Sequence, residues 1–120
     1  MRYALLIYSD ESAADDVSPE EQEAVFNAYY EYDQEVRGTG VWNAGEALQP
    51  TPTATTVRVQ AGETLTSDGP FAETKEQLGG FYILDCKDLD EAIEYAAKLP
   101  GAAYGSVEVR PVMEIPSMPA

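Results

Sequence analysis

The chain has no histidine, which removes the usual general base near neutral pH, the commonest zinc ligand and every Ser-His or Cys-His nucleophile pair. It has one cysteine, Cys86, so neither an intramolecular disulfide nor a cysteine zinc cluster can form. Cations are scarce: seven basic residues stand against twenty-two acidic ones, for a net charge of -15. No basic stripe is left to neutralise phosphates, which argues against nucleic-acid and anionic-membrane binding. No stretch approaches the about 20 apolar residues that cross a bilayer. The apolar run at residues 3–8 is short, and Ser9-Asp10-Glu11 follows it without a small-residue cleavage pattern, unlike a signal peptide. A soluble, cytoplasmic protein without metal or cofactor is expected.

What is present is a chain of 120 residues with 44% apolar content, enough for one domain that removes roughly two thirds of its unfolded surface from water. Residues 1–115 are expected to form that domain, with 116–120 a loose tail. Residues 2–8 read as a strand apolar on both faces, Tyr3, Leu5 and Ile7 on one side and Ala4, Leu6 and Tyr8 on the other. An acidic loop at 10–16 leads to Ser18-Pro19-Glu20-Glu21, which supplies an N-cap, a proline at the first helical position and a capping-box glutamate. Val25, Phe26, Tyr29, Tyr32 and Val36 form the apolar stripe of the helix that starts there, ended by Gly38 and Gly40.

A strand follows at 41–48, where Gly45 signals a bulge or a close approach by another backbone. Residues 55–60 and 63–66 then form a hairpin turning near Ala61-Gly62. Residues 81–86 are a second strand apolar on both faces and place Cys86 among core residues. A helix follows, capped at Asp88, with Leu89, Ala92, Ile93 and Ala96 as its apolar side and Pro100-Gly101 as its stop. The last strand, at 106–113, turns Val107 and Val109 one way and Glu108 and Arg110 the other.

Strand, helix, strand, hairpin, strand, helix, strand is the order of a ferredoxin-like α+β fold. The expected sheet is mixed and mainly antiparallel, with two helices on one face and the two doubly apolar strands at its centre. The other face carries large apolar residues in either register, so a symmetric homodimer is expected to cover it.

Residues 66–80, Thr66-Ser67-Asp68-Gly69-Pro70-Phe71-Ala72-Glu73-Thr74-Lys75-Glu76-Gln77-Leu78-Gly79-Gly80, crowd turn residues and charges into a connection that two to six residues would satisfy. Two local structures fit. One is a rigid turn at Asp68-Gly69-Pro70; the other is a short helix capped by Asp68, in which Glu73 and Gln77 share a face. As a candidate ligand site the segment offers Asp68, Gly69, Pro70, Phe71, Glu73, Lys75 and Glu76, with Arg58, Tyr8 and Arg110 as further candidates. Glutamates near Lys75 favour its charged form and oppose imine chemistry. Trp42 reads as core rather than as a pocket wall.

These residues carry a family resemblance. The stretch 66–82, Gly105-Ser106-Val107-Glu108-Val109-Arg110-Pro111 and Gly45-Glu46-Ala47-Leu48-Gln49-Pro50 make the chain similar to the YCII-related family, in its branch named for the tetrapeptide Asp68-Gly69-Pro70-Phe71. The resemblance covers residues 1 to about 115. It implies a dimeric α/β barrel type of ferredoxin-like fold, bacterial origin and no settled activity. It also implies, by genomic association alone, a link to sigma factors of the extracytoplasmic-function type. More distant relatives resemble small enzymes with a His-Asp pair, such as a dehydrochlorinase of chlorinated hydroquinones. Without histidine that chemistry is closed to this chain.

Two functional expectations follow. One is a small-ligand-binding or accessory homodimer with its site near Asp68-Gly69-Pro70-Phe71. The alternative is a cofactor-free lyase, isomerase or monooxygenase on a small aromatic substrate, with Asp68 or Glu73 as base and Tyr8, Tyr30 or Tyr82 in the pocket wall. The sequence names no reaction.

Overall fold

Two strands that are apolar on both faces must lie inside a sheet rather than at its edge. The computed structural model describes residues 1–116. The chain runs β1 (Arg2–Ser9), α1 (Pro19–Gly38), β2 (Trp42–Ala47), β3 (Thr55–Gln60), β4 (Glu63–Asp68), β5 (Gln77–Asp85), α2 (Leu89–Lys98) and β6 (Ser106–Pro111). Four strands form a sheet in the order β2-β5-β1-β6, while among the described residues β3 pairs only with β4. The fold is α+β and ferredoxin-like, and its central strands are β1 and β5. Every ladder in the sheet is antiparallel. The parallel pairing of a mixed sheet does not form, because β5 inserts between the parallel strands β1 and β2.

Both helices lie on one face. Tyr3, Leu5 and Ile7 meet Leu84 and are covered by Tyr32 and Val36 of α1 and Ala92 and Ala96 of α2, with Cys86 and Leu99 completing the core. On the other face Ala4 pairs with Ile83 and Leu6 with Phe81. The shortest dimension of the molecule is 22 Å, the depth of one helix layer on one sheet, so among the described residues no layer covers this second face. Among the described residues no helix is long and apolar enough to cross a membrane.

The caps form as the sequence predicts. Ser18 Oγ accepts from the Glu21 amide at 3.2 Å, and Asp88 Oδ1 accepts from the Glu91 amide at 2.9 Å.

Several expectations change. Residues 10–16 are not a plain loop: Asp10 caps a 3₁₀ helix, Glu11–Asp16, by accepting from the Ser12 amide. The two largest residues of the apolar side of α2, Leu89 and Ile93, stay 48% and 49% exposed, because the helix settles on its alanines, which allow close approach to the sheet. In α1 the stripe member Phe26 is 65% exposed. β4 runs on to Asp68 and β5 begins at Gln77, so no helix forms at 70–77. Gly69 takes φ 95°, a conformation that favours glycine, and supplies the rigid turn instead. The expected tail lies outside the described residues from residue 117 onward.

Candidate functional site

Val25, Tyr29 and Asp33 follow one another at four-residue steps and so share one side of α1. Beneath them β2 and β5 run in a register that pairs Ala47 with Gly80 and Gly45 with Tyr82. Small residues opposite one another leave the floor low. The result is a cleft of about 410 Å³ between α1 and the β2–β5 half of the sheet. Ile7 and Ser9 of β1 and Gly79 of β5 close one end, and Phe26 stands in the wall at the mouth.

Gly45 is dictated by this packing: a Cβ there would lie 2.9 Å from Cδ1 of Tyr82. The Tyr82 ring therefore lies against bare backbone, and its other neighbour is Tyr32, edge-on at 5.1 Å between centroids and 73° between planes. Burial pushes the Tyr82 phenol up to about 12, with the Asp33 charge adding to the shift. Burial also raises the Tyr29 phenol, which the nearby Tyr104 raises further. Both phenols are neutral hydrogen-bonding groups across the physiological range. The Tyr29 oxygen already accepts from the Gly101 amide at 3.1 Å.

Asp33 is held by Arg37, whose Nε donates to Oδ2 at 2.7 Å one turn along α1. The Arg37 guanidinium in turn lies 3.9 Å over the Trp42 ring. The cleft thus combines aromatic and aliphatic walls, two neutral phenols, the oriented carboxylate of Asp33 and a second acidic residue, Glu46, in its lining. No lysine or arginine lines it. Such a lining suits an uncharged or cationic molecule with a flat apolar body better than an anion.

The residues singled out from the sequence are spread over three places. Asp68 ends β4 opposite Thr55, and Gly69 ties the root of the hairpin together: its amide donates to Ala54 O at 2.7 Å and its carbonyl accepts from Thr56 Oγ1 at 2.8 Å. Pro70, Phe71, Glu73 and Lys75 are exposed beyond that turn, Phe71 at 80%. Glu76 accepts from Ser106 Oγ at 2.8 Å and so fastens the segment to β6. Arg58 is exposed on the hairpin opposite Leu65. Tyr8 and Arg110 belong to the uncovered sheet face, where Arg110 Nε donates to Glu108 at 2.6 Å.

Of residues 66–80, Gly79 and Gly80 reach the cleft wall. Tyr82 stands in the cleft, Tyr30 is 65% exposed on α1, and Tyr8 is on the opposite sheet face. Asp33 and Tyr29 were missed. Their four-residue spacing was visible, but nothing in the sequence showed which strands lie below them. Trp42 packs against the core, as expected of it. Among the described residues no cluster of three metal-ligating side chains occurs.

Residues 1–116 match the family described as the YCII-related domain. The chain belongs to the YCII-related family. An uncharacterised protein of Rhizobium meliloti (strain 1021) is 46% identical over 114 residues, covering 93% of this chain and 92% of that one. The YCII-related match takes in the sheet, both helices and the β3–β4 hairpin, so the cleft and the hairpin belong to one family unit.

Proposed function

We propose that this YCII-related protein is a cytoplasmic homodimer that binds a small, uncharged or cationic, partly aromatic molecule between α1 and the β2–β5 half of the sheet. The observation that carries the reading is the cleft: its volume of about 410 Å³ falls in the range of roughly 300–1,000 Å³ used for small ligands. Tyr29, Tyr82 and Asp33 supply the few polar groups that orient a ligand in a mainly apolar site. The Asp68-Gly69-Pro70-Phe71 turn serves it indirectly, by setting how the following chain delivers Gly79 and Gly80 into the wall. The homodimer reading rests on the uncovered face, where Leu6, Phe81 and Ile83 form an apolar centre that a two-fold partner would bury.

The enzymatic alternative has one observation in its favour, a carboxylate inside an aromatic cleft. Asp33 would be its base, since Asp68 and Glu73 are exposed and do not line the cleft.

The test is thermal-shift screening of neutral and cationic aromatic compounds against the wild type and Ala47→Phe. Ala47 shares the helix side of β2 with Gly45, and a ring at this position fills the cleft. Compounds that raise the melting temperature of the wild type should leave that of Ala47→Phe unmoved. If every active compound shifts both proteins equally, the cleft is not the site.

A further inference from the structure

Among the described residues the β3–β4 hairpin pairs with no other strand. Every residue of β4 is exposed, as is every residue of β3 except Thr56. Neither strand pairs with the main sheet. A lone two-stranded hairpin is marginal in water. Its reach shows in the radius of gyration, 16.7 Å, against about 14 Å for a compact chain of this length.

One face of this hairpin is free of charge along most of its length. The register places Val57 opposite Thr66 and Val59 opposite Thr64, and the valines are 59% and 68% exposed. In a chain of charge -15, a second copy is repelled wherever acids meet, and it can approach only across surfaces like this one.

The uncovered sheet face is apolar only at its centre, at Leu6, Phe81 and Ile83, with the Arg110–Glu108 pair beside it, and it is small. Four strands about 4.8 Å apart and about 20 Å long present roughly 400 Å² of planar area. A stable specific interface takes about 800 Å² from each partner. A hairpin face of roughly 200 Å², together with the equal surface that receives the partner's hairpin, makes up the difference.

We propose that the hairpin is an exchanged arm: in the dimer it lays its Val57, Val59, Thr64 and Thr66 face on a second copy of this chain, beside that copy's open sheet face. The inference rests on the homodimer reading above and adds to it the element that makes the interface large enough. It also gives the 66–80 segment a mechanical task. Gly69 and the bonds around it fix the angle at which the arm leaves the body.

The test uses the full chain and Val57→Glu/Val59→Glu, with Val57→Ile/Val59→Ile as the conservative control. Both positions are exposed on the arm, so circular dichroism should show the body intact. Sedimentation should find the wild type and the isoleucine variant dimeric, and the glutamate variant with a dissociation constant raised at least about tenfold. Hydrogen exchange should show arm amides protected in the wild type at high concentration and exposed on dilution. A dimeric wild type whose affinity and arm exchange are unchanged by the glutamates would overturn the arm while leaving the homodimer standing. A monomeric wild type at micromolar concentration would overturn the homodimer and the arm with it.

Discussion

The hydroxyl of Tyr29 accepts a hydrogen bond from the amide of Gly101 at 3.1 Å, and a Cβ on Gly101 would stand 2.7 Å from that oxygen and 2.9 Å from Cγ2 of Ile7. The tyrosine that walls the cleft is thus positioned by the 3₁₀ helix after α2, seventy-two residues away. Gly101→Ala should cost about 1–3 kcal/mol by overpacking, measured by urea unfolding. Tyr29→Phe/Gly101→Ala should recover part of that loss, because the closest clash disappears with the oxygen. A double variant no more stable than Gly101→Ala would place the clash elsewhere.

The contact surface of α2 yields a second prediction. Leu84 is fully buried beneath both helices, whereas Leu89 and Ile93 are about half exposed. Leu84→Ala should cost about 2–5 kcal/mol by transfer and cavity terms. Leu89→Ala and Ile93→Ala should each cost under half as much. Equal losses at all three would mean that α2 sits lower on the sheet than its alanines indicate.

That contrast marks where the sequence was legible. The central place of two strands followed from Tyr3 to Tyr8 and Phe81 to Cys86 being apolar on both faces, since only a central strand buries two faces. The caps at Ser18 and Asp88 were readable because capping is a local bond. The depth of α2 was not, because Leu89, Ala92, Ile93 and Ala96 make a continuous stripe whose middle is chosen by the sheet beneath. The cleft was hidden for the same reason: Asp33 and Gly80 lie far apart in sequence and share a wall only through the pairing of β2 with β5. Gly45 was the one local sign, read as a bulge or a close approach by another backbone, whereas the group that approaches it is the Tyr82 ring.

Cys86 lies at 1% exposure, and burial pushes its thiol up to about 11, with Glu91 and Asp85 adding to the shift. Folding therefore favours the neutral thiol. The stability this contributes is complete below the ordinary value of 9.0 and is lost as pH rises toward about 11. Tyr82 acts in the same sense between 10.0 and about 12. Unfolding free energy should hold steady up to about pH 8.5 and then fall. Cys86→Ala should flatten the first part of that fall. A thiolate absorbance midpoint at or below the ordinary value would contradict the burial argument.

The Asp33–Arg37–Trp42 series connects the cleft to the only tryptophan in the chain. Asp33→Asn should weaken the hold on Arg37 and change the emission of Trp42, because the guanidinium over the ring perturbs its excited state. The stability change should be small, about 0.2–1 kcal/mol, since the pair is partly exposed. A ligand that engages Asp33 should move the same emission in the wild type and not in Asp33→Asn. An unchanged spectrum in both experiments would uncouple the cleft from Trp42.

Glu11 is the fastening between the body and the root of the hairpin. Its carboxylate accepts from the Thr51 amide at 3.0 Å and from Thr51 Oγ1 at 2.6 Å, and its own amide donates to Oε1 of Gln77 at 2.9 Å. Glu11, two residues past the end of β1, thus grips both chains of the arm, the one that enters β3 and the one that leaves β4 for β5. Glu11→Ala leaves the half-buried Thr51 amide without its acceptor, a loss of about 1–3 kcal/mol. Most of that loss should be local, because the core of Leu5, Val36 and Leu84 does not touch this fastening. Hydrogen exchange should therefore quicken at residues 51–76 while the amides of β1 and the core of β5 keep their protection. Uniform quickening across the chain would show instead that the arm root and the sheet open as one unit, with Glu11 a part of the global fold.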